Sequence, residues 1–315
     1  MVKEHWKKSR VHARLSRMNE EQIGLLFMIL TSFCFVVMSA LVSWGARREP
    51  VGSAFLASFV RTIVNLAVVV AYASWLKERH TLFGNLSLPL WLRGIFGSMG
   101  LITYFYSIEN LGVAESSFLA STSGVWVALL GPWVLKKRNP LSAYIAIFGA
   151  MLGIFLLLSS NFTSWNWQGR VAGVLSGFFG SCAYLTISKS GKAFRPNTIV
   201  FYFCFVSLIF HLVGFAFFRF SFPTQWQTYL LFAGSGIAAA LAQLCLTRGY
   251  QTAPAASAAA VSYLTTFLNC LSGVLFFDER LTGAGFLGGA LIIVCGVFIP
   301  FLSASRRPPP AVEAS

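Results

Sequence analysis

Ten predominantly apolar stretches follow one another along the chain, separated by short polar or charged turns. They run at about 22–44, 54–75, 89–108, 114–135, 141–159, 168–188, 197–218, 228–248, 254–277 and 282–303. A helix needs roughly 20 apolar residues to cross the ~30 Å hydrocarbon core of a bilayer. Each stretch has about that length, and in lipid a helix satisfies its own backbone hydrogen bonds. The pattern predicts an all-α polytopic membrane protein with ten transmembrane helices, with almost none of the 315 residues left over for a water-soluble domain.

Composition agrees: 56% of residues are hydrophobic and 11% charged, against about 25% charged in soluble domains. A net charge of +14 is compatible with nucleic-acid binding until its placement is read. Six basic residues (Lys3, Lys7, Lys8, Arg10, Arg14, Arg17) crowd the first 17 positions, and most of the others sit in alternate turns. Lysine and arginine in short loops mark the cytoplasmic side. With the N-terminus inside and ten crossings, 18 of the 24 basic residues fall inside or at the inner boundary, including Lys77, Arg79, Arg93, Lys136 to Arg138, Arg248, Arg306 and Arg307. Five fall outside (Arg47, Arg48, Arg170, Arg219, Arg280), and Arg61 lies within a helix. Both termini are therefore expected in the cytoplasm of a bacterial-type inner membrane. The partners expected are the lipid bilayer and a small-molecule substrate, with no nucleic acid.

Residues 1–20 are too long and too basic for a typical signal peptide, so helix 1 is expected to be retained. That segment either lies on an anionic membrane surface with Trp6 as its anchor or is a disordered topology determinant. The Pro-rich tail 304–315 is expected to be disordered and cytoplasmic. Trp44, Trp75, Trp91, Trp165 and Trp167 fall at span ends, as an aromatic belt requires. Six cysteines all lie within spans with no metal-ligand spacing, so neither a disulfide, a metal nor a cofactor is expected.

The chain also reads as a duplication of two units, 21–160 and 166–303. Residues 101–118 overlay 241–258, each an aromatic or polar helix end, a short turn and a small-residue helix start. Gly24 falls on Gly173, Ser32 on Ser181 and Phe35 on Tyr184. Five helices per unit is odd, so the second unit must insert upside down. Inverted repeats build many secondary transporters, with the substrate held near the midplane at the repeat interface.

At this point the chain resembles the drug/metabolite transporter superfamily, specifically its ten-helix EamA-type members. The residues carrying the likeness are SFVRTIVNL around Arg61, the helix 3–4 passage YFYSIENLGVAESSFLAS, Pro254 opening helix 9, and FFDERLTGAGFLGGALIIVCGVFI with Glu279, Arg280, Gly289 and Gly296. The first half departs from the pattern, with Lys136 or Lys137 where a glutamate is expected and no proline opening helix 4. The resemblance implies two inverted five-helix EamA-like repeats and transport of small metabolites, often amino acids or related compounds, with export favoured over import.

Candidate chemistry is sparse. Arg61 sits roughly 5 Å from the middle of helix 2 and must face the bundle or a wet cavity. It either attracts a substrate carboxylate or binds backbone carbonyls to fix packing, and the packing reading is favoured. Asn65, four residues on, can share its hydrogen bonds. His211, within one residue of the repeat-equivalent of Arg61, is a possible proton relay or a neutral interface histidine. No span carries a mid-depth carboxylate. Facilitated diffusion is therefore favoured, or coupling through His211 or through Glu115, which otherwise is an ordinary helix-start residue. An aromatic, mostly neutral pocket is expected from Tyr104, Ser121, Trp126, Tyr184, Gln243, Tyr263 and Asn269, with interhelical hydrogen bonding as the alternative role of each. Gly97, Gly100, Tyr104 and Ser107 share one face of helix 3.

Two other classes compete. The stretch Ala233-Gly234-Ser235-Gly236 weakly suggests an intramembrane serine-type enzyme with His211 as base, but no oxyanion hole, HExxH or carboxylate pair accompanies it. A channel would need rings of charge or a carbonyl filter, and neither motif is present. The glycine-rich closing helices (Gly149, Gly153; Gly285, Gly289) point to packing of helix 5 on helix 10 rather than to dimerisation, leaving a monomer or a homodimer.

Overall fold

A computed structural model describes residues 19–49, 54–111, 113–158, 166–217, 222–277 and 283–305. The basic segment to residue 18, Trp165, Arg219, the turn with Asp278, Glu279 and Arg280, and the tail from residue 306 lie outside the described residues, as do the side chains of Glu109 and Glu115. The elements are α1 (Glu20–Arg48), α2 (Ala54–Trp75), α3 (Leu88–Leu111), α4 (Val113–Ser121 and Ser123–Leu135), α5 (Leu141–Leu158), α6 (Trp167–Ser190), α7 (Pro196–Phe217), α8 (Trp226–Thr252), α9 (Ala255–Ser262 and Leu264–Phe277) and α10 (Gly283–Leu291, Ile292–Phe298, Ile299–Ser305).

Eight of these are long and apolar enough to cross a membrane. Of the other two, α3 is diluted by Arg93 and by its glycines and hydroxyl residues, and the apolar stretch of α5 is short. No strand occurs among the described residues. Large apolar side chains stand exposed along the outer faces, among them Leu30, Phe33 and Val37 on α1, Phe148 and Leu152 on α5, and Phe286 and Leu287 on α10. Water would penalise such a surface and lipid does not, so the protein is a multi-pass membrane protein. Trp75 and Trp167 are exposed at helix ends, whereas Trp91 turns inward against Tyr202 at 5.2 Å.

Local chemistry sets the boundaries. Asn19 caps α1: its Oδ1 accepts from the Gln22 N–H at 2.9 Å, and the Gln22 side chain accepts from the Asn19 N–H at 3.1 Å. Pro254 opens α9, where a missing N–H costs nothing. Two helices expected as continuous are broken: α4 at Thr122 and α9 at Tyr263. Thr122 Oγ1 turns back onto the Leu119 carbonyl at 2.6 Å, a bond that competes with the helical ladder. The middle of α10, Ile292–Phe298, is wound as a π-helix where it packs on α5.

The major pairings are α1 on α8, α3 on α6, α2 on α8, α3 on α7, α4 on α6, α1 on α9, α2 on α7, α4 on α9 and α5 on α10. Replacing each helix by the one five places away maps these nine pairings onto one another, whereas the contacts of α5 with α9 and of α6 with α8 have no comparable counterpart among the described residues. Lipid is as apolar as leucine, so the helices associate by close packing at small residues. A Cβ at Gly94 (α3) would lie 2.7 Å from Val206 Cγ2 on α7, and one at Gly236 (α8) would lie 2.6 Å from Val64 Cβ on α2. The two locks share one offset along the chain. On α6, a Cβ at Gly173 would lie 2.7 Å from Leu119 Cδ1 and 2.9 Å from Ser107 Oγ. On α5, one at Gly153 would meet the Gly288 carbonyl oxygen of α10 at 2.6 Å.

Both ends of the bundle are tied by polar contacts. Where α1 begins, Glu20 pairs with Lys192, Glu78 pairs with Arg195, and Tyr202 donates to the Phe83 carbonyl at 2.9 Å. At the other end Glu49, just past α1, accepts from the Thr224 N–H (2.9 Å) and Oγ1 (2.7 Å), the Gln225 N–H (3.1 Å) and Thr228 Oγ1 (2.9 Å). It therefore caps α8, whose own N-cap Gln225 makes no side-chain bond. The Thr224 hydroxyl, aided by the backbone N–H groups, pulls the Glu49 carboxyl down to about 2.

Two outcomes follow from this packing. Gly173→Ala should destabilise the purified protein by about 1–3 kcal/mol through overpacking, whereas Gly234→Ala, whose Cβ meets only Leu41 at 3.4 Å, should be neutral or slightly stabilising in thermal melts. A carboxyl whose folded pKa is lowered adds stability that is complete above its unfolded value and is lost as pH falls. The melting-temperature advantage of wild type over Glu49→Gln should thus be full above pH of about 4.5 and shrink towards pH 2.

Candidate functional site

A cavity of about 200 Å³ opens where both halves of the chain meet. Helix α3 supplies Arg93, Gly97, Gly100, Leu101 and Tyr104, α4 supplies Ala120 and Ser123, α6 supplies Ser176, Gly180, Ala183 and Tyr184, α7 supplies Phe203, and α8 supplies Gln243. The glycines keep α3 and α6 close: a Cβ at Gly100 would sit 3.3 Å from the Gly180 nitrogen. Tyr184 lies flat against Tyr250, centroids 4.8 Å apart and planes 11° apart. Tyr104 and Ser117 hydroxyls are 2.9 Å apart, joining α3 to α4.

Arg93 is the charged group of the cavity. Its residue is 3% exposed, and its Nη2 donates to Gln243 Oε1 at 3.1 Å. The guanidinium carbon lies 4.4 Å from the Phe203 ring centroid, a cation–π contact. Nε has no hydrogen-bond partner among the described residues. The sequence pattern counted Arg93 at the inner boundary as a topology marker, and the structure adds that it is buried in α3 with its head folded along the helix over Gly97. A Cβ at Gly97 would overlap Arg93 Nη1 and come within 2.7 Å of the Phe203 ring. The signal was available in the spacing, since Arg93 stands one helical step of four before Gly97, on the face already shared with Gly100 and Tyr104.

Of the residues expected to form the pocket, Tyr104, Tyr184 and Gln243 line it. Arg61 does not: its Nη1 points to Met38 Sδ at 3.2 Å and its Nη2 to Ser58 Oγ at 3.5 Å. Asn65 shares no hydrogen bond with Arg61; it is buried, with Oδ1 unpartnered among the described residues. Ser121 donates back to the Ser117 carbonyl at 2.7 Å, and Trp126 packs edge-on against Phe178 at 5.4 Å. From α4 it is Ala120 and Ser123, three residues apart on one face, that line the cavity instead. Tyr263 stands at the break of α9 with its hydroxyl over Gly124 of α4. Asn269 lies further along α9, its Oδ1 buried and unpartnered among the described residues. The polar groups of α2 and α9 are thus not among the residues that line this cavity.

His211 is 1% exposed beside Phe55 and Phe59 (centroids 4.9 and 5.9 Å away), with Nδ1 2.6 Å from the Ser207 carbonyl. A carbonyl only accepts, so Nδ1 carries the proton; Nε2 has no partner among the described residues. The offset shared by the contacts Gly94–Val206 and Gly236–Val64 would align Arg61 with Phe203 and His211 with Val69. Ser235, in the stretch weighed as an enzyme motif, is fully buried and donates to the Phe232 carbonyl at 2.7 Å. Glu115 belongs to the first segment of α4, and its side chain is outside the described residues.

Comparison with known proteins adds a frame to this geometry. The model of the EamA-like transporter family matches twice, at residues 22–159 and 167–302. The pseudopaline exporter of Pseudomonas aeruginosa is 27% identical over 273 residues, covering 86% of this chain and 93% of that protein. The riboflavin transporter of Vibrio cholerae is 24% identical over 288 residues, covering 88% and 92%. Solute carrier family 35 member G1 of Mus musculus is 22% identical, covering 86% and 76%. A solved crystal structure superposes with a TM-score of 0.76 at 18% identity, covering 91% of this chain and 98% of the other, a likeness of fold.

Proposed function

The chain belongs to the EamA-like transporter family, a membrane transporter of small metabolites and not an enzyme, and from that premise we propose that it exports an amphipathic metabolite of amino-acid size by alternating access. In this reading two inverted five-helix repeats rock about the cavity between them. The observation that carries it is the cavity itself, walled by α3 and α4 from one half and α6, α7 and α8 from the other. The exchange symmetry of the helix pairings and the matched glycine locks support the two repeats. Their inversion is supported by chain direction: Glu20 at the start of α1 pairs with Lys192 beyond the end of α6, so the repeats open at opposite ends of the bundle.

The lining suits such a substrate. Tyr104, Tyr184 and Phe203 offer aromatic faces, while Ser123, Ser176 and Gln243 offer neutral hydrogen-bonding groups. No carboxylate lines the cavity among the described residues, which favours facilitated diffusion over proton exchange, with His211 and Glu115 as the coupling candidates otherwise. Export follows the named exporter among the relatives, and the basic-residue asymmetry supports cytoplasmic termini in an inner membrane. The transporting unit is a monomer or a homodimer.

Proteoliposome counterflow tests this directly. With a mixture of amino acids and related metabolites inside, labelled uptake should be saturable, trans-stimulated and indifferent to a pH gradient. Gln243→Ala and Tyr184→Ala should each lower it about tenfold, equivalent to about 1.4 kcal/mol of lost binding. Non-saturable flux, or flux unchanged in both variants, would exclude the carrier site described.

A further inference from the structure

We infer that Arg93 is the anchor for a carboxylate group of the substrate, so that the cavity selects monoanionic or zwitterionic carboxylates over amides and amines. This deepens the carrier reading and rests on it for the word substrate; the binding chemistry is argued from the site alone. The guanidinium is buried, and the two groups that hold it are neutral: Gln243 accepts one N–H at 3.1 Å and Phe203 offers its ring face at 4.4 Å. Neither cancels the charge, and Nε is left without a partner among the described residues.

Among the described side chains no carboxylate is at hand to do so. The described carboxylates are Glu20, Glu21, Glu49 and Glu78, all at helix ends, with Glu20 and Glu78 ion-paired and Glu49 capping α8. A second cation, half-buried Arg61 of α2, is not among the lining residues and is held by Met38 and Ser58. Within the described lining the Arg93 charge is therefore not offset by a carboxylate. A carboxylate matches a guanidinium fork with two parallel N–H···O bonds. Arg93 is the sole cation among the described lining residues, so a monoanion is matched better than a phosphate dianion, which calls for more donors. Gly97 is part of the device, because any side chain there would displace the guanidinium.

The cavity, about 200 Å³, exceeds the roughly 150 Å³ that accommodates benzene, so single-ring probes fit. Binding to the purified full chain in detergent, read by thermal shift, is compared for phenylacetate, 2-phenylacetamide, phenethylamine and phenyl phosphate. Phenylacetate should stabilise wild type, and the amide and amine at the same concentration should not. Its affinity should fall at least about tenfold in Arg93→Gln and be partly restored in Arg93→Lys. Should Arg93→Gln fail to fold, Gly97→Ala should weaken phenylacetate in the same direction.

Absence of phenylacetate binding, equal binding of amide or amine, tighter binding of phenyl phosphate, or an affinity indifferent to both Arg93→Gln and Gly97→Ala would overturn the assignment. Charge-selective binding without counterflow would instead count against the carrier reading and leave the anchor standing. Counterflow without carboxylate selectivity would do the reverse.

Discussion

Helices surrounded by lipid gain nothing from hiding apolar surface from one another, so this bundle depends on close approach at positions without a side chain. Gly94 and Gly236 let α3 and α8 each seat a valine of the opposite half, and Gly173 brings α6 against both α3 and α4. Once those crossings are made, hydroxyl groups meet across them, as Ser98 and Ser207 do at 2.8 Å and Ser107 and Ser116 at 2.9 Å. The cavity is the space left where the crossing of α3 and α6 continues past Gly100 and Gly180 into larger side chains.

Charge follows the same geometry. A guanidinium among apolar helices demands partners, and Gly97 gives Arg93 room to reach them in the opposite half, at Phe203 and Gln243. Arg61, with Met38 and Ser58 around it, is held within the wall instead. The buried Arg93 thus faces the cavity, and the half-buried Arg61 does not line it. The carboxylates that might neutralise a membrane cation are, among the described residues, used at the ends of the bundle, where Glu49 organises the start of α8 and Glu20 and Glu78 close the opposite end.

Hydropathy rhythm alone reveals the helices, because the length needed to span lipid is a one-dimensional property. The breaks at Thr122 and Tyr263 escaped it, because hydropathy counts residues and does not register a local bond such as that of Thr122 Oγ1 to the Leu119 carbonyl. Ser121 and Trp126, expected in the pocket, turn to the Ser117 carbonyl and to Phe178 instead. Tyr104, Tyr184 and Gln243 were accessible from sequence as polar or aromatic groups on glycine-bearing helices. Arg93 was passed over because distance from the span start decides snorkelling only when the side chain faces lipid; rotational phase decides it here, and the run Arg93, Gly97, Gly100, Tyr104 carries that phase.

The account rests on two halves that enter the membrane in opposite senses around a shared cavity. Single cysteines placed at Asn85, in the turn before α3, and at Gln225, just before α8, in a background lacking the native cysteines, test it most directly with an impermeant maleimide on intact cells. The account predicts that the reagent labels Gln225→Cys from outside and reaches Asn85→Cys only after permeabilisation. Labelling of both positions from the same side would contradict it.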